Sequence, residues 1–116
     1  MKMKDCIFCK IAKKEMPAEI LYEDEEVLGF KNIHPEAPIH LLFISKKHIE
    51  WEDEFDEKSL AIISRLVSAA KKVAIEKNTF GACKFIFNIG KTGHIAHIHL
   101  HLLGGWQGDA IPDYNV

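Results

Sequence analysis

The sequence has one arginine, Arg65, against 14 lysines. A phosphate site built within one chain can therefore draw on at most one bidentate guanidinium. A basic excess is also missing. The formal net charge is −2, which argues against the electrostatic field of a nucleic-acid-binding protein. No apolar run approaches the length of a membrane span. No apolar stretch follows Met1-Lys2-Met3-Lys4-Asp5, so no signal peptide is read. The three cysteines are too few, and odd in number, for a disulfide scaffold. They point to a reducing, cytoplasmic setting. Repeats, linkers and low-complexity stretches are absent, so residues 1–116 are read as a single domain. The apolar content of 47% and charged content of 28% are those of a soluble globular chain.

Histidine is abundant, and it is concentrated. Residues 97–103 read His97-Ile98-His99-Leu100-His101-Leu102-Leu103. This alternation is the period-2 pattern of a strand. It places Ile98, Leu100 and Leu102 toward the core and the three imidazoles on the other face, about 6.6–7 Å from one to the next. Such a row is either the wet face of an ordinary amphipathic strand or a reactive surface. Three imidazoles on one face, with Gly104-Gly105 directly after them, favour the second. Histidine titrates near neutral pH and serves as nucleophile, acid or metal ligand.

The rest of the chain supplies a frame for that strand. Asp5 is a plausible N-cap for a short helix over about 6–14, ahead of Pro17. Within it, Cys6-Ile7-Phe8-Cys9 is a CxxC: a zinc half-site, a redox pair or chance. Two thiols alone cannot close a structural zinc site, which needs four ligands. Residues 19–31 read as a hairpin turning at Glu23-Asp24-Glu25, with Phe30 and Asn32 at its exit. The loop Asn32-Ile33-His34-Pro35-Glu36-Ala37-Pro38 is stiffened by two prolines. Ile39–Ser45 reads as a buried central strand carrying His40, which matters for chemistry only if this strand lies beside 97–103. The acidic run 50–57 reads as a solvated helix entry. Asp56 caps a long helix over about 57–77, whose stripe runs through Leu60, Ile63, Val67, Ala70 and Ala74, widened by Ile62, Leu66 and Val73. Asn78 and Gly81 end it. Lys84–Ile89 forms a further strand, hairpinned to the histidine strand and bringing Asn88 and His94 near it. Cys83 reads as a small buried residue.

The histidine strand resembles the His-φ-His-φ-His-φ-φ signature of the histidine triad superfamily. Cys6-Ile7-Phe8-Cys9-Lys10-Ile11, Pro35-x-Ala37-Pro38-x-His40, Lys46-Lys47-His48-Ile49, Asn88-x-Gly90 and Gly104-Gly105 resemble family segments in the family's order. The likeness spans about residues 5–107 and is nearest to the Hint branch, the nucleoside phosphoramidate hydrolases. It implies an α+β fold, with a five-stranded antiparallel sheet, one long helix and one short N-terminal helix, in a homodimer. It implies a site for purine nucleoside monophosphate-type molecules, with neither nucleic acid nor membrane as partner. His99 would be the nucleophile, His101 a phosphate and leaving-group contact, and His97 an orienting residue with His40 close to it. Phe8, Ile11, Phe30, Ile33 and Leu42 would line the base and ribose pocket, and Asn88 would meet the phosphate. Zinc would be held by Cys6, Cys9, His48 and His97.

Two departures mark this chain. Asn32 stands where the family offers an aspartate to the ribose, and Gly93-His94 stands where it reads Gly-Gln-Ser. His94 is expected to replace that serine as a donor. The implied reaction is cleavage of the P–N bond of purine nucleoside 5′-phosphoramidates. The alternatives are a nucleotide-binding regulatory module with weak catalysis and a dinucleoside polyphosphate hydrolase.

Overall fold

A computed structural model describes residues 6–92 and 95–107. Asp5, His94 and the tail from residue 108 onward lie outside the described residues. The elements are α1 (Ile7–Ala12), β1 (Ile20–Glu23), β2 (Val27–Lys31), β3 (Ile39–Ser45), α2 (Glu57–Glu76), β4 (Lys84–Phe87) and β5 (His99–Gly104). The strands form one sheet in the order β1-β2-β3-β5-β4, antiparallel throughout. This is the α+β fold implied by the resemblance.

Local chemistry explains the element ends. The first hairpin turns because Asp24 Oδ1 accepts from the backbone N–H groups of Glu26 and Val27, each at 2.8 Å. Asp56 caps α2 by accepting from Ser59 N–H at 2.8 Å. Asn78 ends it in the left-handed region, with φ 57°. There, Thr79 N–H reaches Ala74 O and Asn78 N–H reaches Ile75 O, the paired bonds of a Schellman motif. The same motif closes α1, with Lys14 at φ 64°. The short helix therefore ends two residues earlier than its sequence pattern predicts. Its N-cap residue is Cys6, which makes no side-chain cap.

Both faces of the sheet are covered. On one, α2 lays Ile62, Leu66, Ala69, Ala70, Val73 and Ala74 against Leu41, Phe43, Ile98, Leu100 and Leu102. Each fully buried Leu or Phe there contributes about 1.5–3 kcal/mol. The buried stripe of α2 is rotated from the expected one. Ile62, Leu66, Ala69 and Val73 centre it, while Leu60 and Val67 are exposed. On the other face, Cys6, Phe8, Cys9 and Ile11 of the α1 segment pack on Leu28, Phe30, Leu42 and Ile44.

The histidine strand differs in two ways from its sequence pattern. Pairing begins at His99, not His97. β3 ends at Ser45, one residue past the Ile44↔His99 pair, and Ile98 N–H turns away to Ile49 O at 2.7 Å. The imidazole face is also not an open wet surface: His97 and His99 are buried and His101 is partly buried. Gly104-Gly105 close the strand against α2's exit. Gly105 N–H donates to Thr79 Oγ1 at 2.8 Å, and a Cβ on Gly104 would fall on that hydroxyl. Cys83 is only partly buried.

Candidate active site and metal centre

Strand pairing assembles the site. β3 lies beside β5, with His40 opposite Leu103 and Leu42 opposite His101. His40 therefore shares the imidazole face, and its Nε2 lies 2.9 Å from His101 Nδ1. Asn88, just past β4, brings its carboxamide nitrogen to 3.2 Å from His101 Nε2.

Carbonyl partners fix the imidazole tautomers, because a carbonyl can only accept. His99 Nδ1 lies 2.7 Å from His97 O. Its proton is therefore on Nδ1, and Nε2 keeps a lone pair. His97 Nε2 lies 2.7 Å from Ser45 O, so His97 is protonated on Nε2 and bare at Nδ1. His40 Nδ1 accepts from Glu36 N–H at 3.0 Å. Neutral His40 consequently donates from Nε2 to His101 Nδ1, which leaves the His101 proton on Nε2. The Asn88 carboxamide meets that proton by presenting its oxygen.

Burial keeps these rings neutral. It lowers the pKa of His99, against the opposing hydrogen bond to His97 O. It lowers His101 to about 4, helped by the charges His99 and His40 would carry. It lowers His40 as well, with Glu36 opposing.

The row opens onto a cavity of about 500 Å³. Phe8, Ile11, Phe30 and Leu42 form its apolar wall, and Ile33 sits exposed at its rim. Asn32, Asn88, His40, His99 and His101 supply its polar side. The Phe8 ring stands edge-on to His99, with centroids 5.1 Å apart. Asn32 caps its own loop, its Oδ1 accepting from His34 N–H at 2.9 Å, while its Nδ2 lies 3.3 Å from His40 Nε2. Arg65 is on α2, paired with Glu26 at 3.2 Å, and does not line the cavity.

The remaining imidazoles meet the thiols. His97 Nδ1 is 3.2 Å from Cys6 Sγ and 3.6 Å from Cys9 Sγ, and His48 Nδ1 is 3.1 Å from Cys9 Sγ. All four ligand atoms lie within 4.8 Å of one another. Two thiols and two bare imidazole nitrogens at this spacing suit tetrahedral zinc. Burial, with Cys6 alongside, pushes the Cys9 thiol up to about 11. A cation bound to this set would supply the charge that a buried thiolate pair requires. The CxxC thus lies in a four-residue set with His48 and His97 that fits the zinc reading of its spacing.

Two residues of this centre escaped sequence reading. Glu50 Oε2 accepts from His48 Nε2–H at 2.9 Å, which turns Nδ1 toward the thiols and lowers the Glu50 pKa. A carboxylate two residues after a ligand histidine was its only signal. Ser45 meets His97 Nε2 chiefly through its backbone carbonyl at 2.7 Å, which carries no sequence signal, with its hydroxyl 3.3 Å from the same nitrogen.

Comparison with known proteins agrees with this geometry. The family model described as scavenger mRNA decapping enzyme C-term binding matches residues 5–109. The chain is 36% identical over 104 residues to Protein HitA of Neisseria gonorrhoeae, covering 88% of this chain and 97% of that protein. It is 40% identical over 105 residues to a 14 kDa zinc-binding protein of Zea mays, covering 87% and 82%. A histidine triad protein of Clostridium difficile superposes with a TM-score of 0.87 at 36% identity, covering 99% of this chain and 100% of that one. The chain belongs to the histidine triad superfamily, in the family that this model describes.

Proposed function

We propose that this protein hydrolyses the P–N bond of purine nucleoside 5′-phosphoramidates through a nucleotidyl-histidine intermediate. The observation that carries the reading is the tautomer of His99. Its Nδ1 proton is committed to His97 O at 2.7 Å, which leaves the Nε2 lone pair for the cavity its ring lines. A neutral, oriented imidazole is a competent nucleophile toward phosphorus, and covalent transfer splits one hard displacement into two.

The base and ribose lie against Phe8, Ile11, Phe30, Ile33 and Leu42, with the free N–H of the Asn32 carboxamide available to a hydroxyl. His99 Nε2 attacks the α-phosphorus and the P–N bond breaks, its electron pair leaving on a nitrogen that takes its proton from solvent water and departs as the amine. Water then hydrolyses the His99–phosphorus bond. Among the described residues no arginine lines the cavity, and Lys31, which does, is paired with Glu19 at 3.1 Å. The phosphate oxygens and leaving nitrogen are therefore met by His101 Nε2–H, Asn88 and backbone N–H groups. His40 holds the His101 tautomer. His94 belongs to the same proposal as a further donor.

The active form is a homodimer. Among the described residues β4 is an edge strand of the sheet, and Leu60, Val67, Phe80 and Ile89 are exposed apolar residues that a second copy would cover. No helix among the described residues is long and apolar enough to cross a membrane. With three free cysteines, a cytoplasmic location suits the zinc set.

The test is hydrolysis of adenosine 5′-phosphoramidate by the wild type and by His99→Ala. Turnover that the variant loses supports the reading. Turnover that the variant keeps overturns it.

A further inference from the structure

The metal set and the cavity share more than a boundary. Cys6 and Cys9 bracket Phe8, whose ring stands edge-on to His97, His99 and Phe30, with centroids 5.7, 5.1 and 6.0 Å away. The helix that carries Phe8 has six residues, no side-chain cap and no acidic residue in its first turn. Such a helix has little stability of its own. It is held in place by the apolar contacts of Cys6, Phe8, Cys9 and Ile11 and by whatever binds its two thiols. From the other side, His97 turns Nδ1 to those thiols and its backbone carbonyl to His99 Nδ1. Its Nε2 is already held by Ser45 O, so a metal on Nδ1 fixes the ring at both nitrogens. Glu50 does the same for His48.

We propose that the zinc centre is a clip that assembles the nucleotide cavity: the metal that joins Cys6 and Cys9 to His48 and His97 holds both the Phe8 wall and the carbonyl that orients His99. This rests on reading the cavity as a nucleoside monophosphate site. Zinc and nucleotide then bind with positive coupling. Coupling of binding is reciprocal, so each tightens the other by the same factor, typically about 5–150-fold. Glu50 is a positioning residue for the clip. Outer partners of metal-bound histidines are each worth about 10–100-fold in metal affinity.

The experiment is a pair of titrations on the full chain: AMP into zinc-loaded and chelator-treated protein, and zinc with and without saturating AMP. The expected result is AMP binding at least about fivefold weaker without zinc, and zinc binding tightened by AMP to the same degree. Equal affinities in both arms overturn the proposal. If the chelated chain unfolds, the cobalt-substituted protein takes its place. Its visible bands should shift on AMP binding, and an unchanged spectrum overturns the proposal.

Glu50→Gln separates a clip from a general structural role. Its AMP affinity should fall at limiting zinc and recover at saturating zinc. A loss that zinc does not rescue contradicts the assignment. If AMP binds neither form, the nucleotide reading fails, and the clip is judged by the side-chain ¹⁵N spectrum of His99. A single Nδ1–H tautomer with metal, averaged without it, supports the clip. Identical spectra overturn it.

Discussion

His97 and His99 stand two residues apart, are both buried under the α1 segment, and end with opposite nitrogens free. His97 gives its Nε2 proton to Ser45 O and turns Nδ1 to the thiols. His99 gives its Nδ1 proton to His97 O and keeps Nε2 for the cavity. Residue type and burial are the same, so neither explains the divergence. The position of a backbone carbonyl does. β3 ends at Ser45 and β5 begins at His99, so the carbonyls near that junction are met by ring nitrogens. In the proposed function one imidazole serves as a metal ligand and the other as the nucleophile.

The sharpest way to break this comparison is to remove each ring in turn. His99→Ala should lower phosphoramidate turnover at least about a thousandfold, as loss of a covalent nucleophile does, while zinc content stays at about one per chain. His97→Ala should lose both, because its ring belongs to the metal set and its neighbour to the cavity. Parallel turnover and metal analysis of the two variants checks this.

Chelation separates the two sides by stability. A ligand at about a hundred times its Kd stabilises the folded state by about 2.7 kcal/mol. Removing zinc should therefore lower the thermal midpoint by several degrees, and zinc, not magnesium, should restore it.

Acid acts on the cavity side. His101, held to about 4, and His40, also lowered, are neutral in the folded protein at a pH where the unfolded chain takes up protons. Their contribution to stability is whole above about pH 6.5 and is lost as pH falls from there toward 4. Denaturant midpoints measured across that window should decline with acid, and His101→Gln should flatten the slope.

The smallest effect belongs to a position outside both sides. Asp56→Ala removes the α2 cap and should cost about 1 kcal/mol with zinc content and turnover unchanged. A loss of either would mean that α2's start reaches the site.

The strands, both helices and the Asp56 cap were legible because each rests on local pattern: alternation, helical spacing, a carboxylate before a helix. So were the residues that converge, since the His strand, CxxC and His40 bear their chemistry on their side chains. Less legible was anything set by a distant carbonyl. The His97 and His99 tautomers depend on where two strands stop, and Ser45 contributes an atom common to every residue. The rotated stripe of α2 was hidden for a related reason. Leu60 and Val67 satisfy helical spacing, yet the sheet lies under Ile62, Leu66, Ala69 and Val73.

The most direct test of His99 as nucleophile is to quench the reaction with adenosine 5′-phosphoramidate within the first turnovers and map the covalent product by peptide mass spectrometry. A single adenylyl group on His99 that disappears on further incubation is the expected result. An adduct on His97, His101 or His40, or rapid turnover through which no adduct forms, would contradict the assignment.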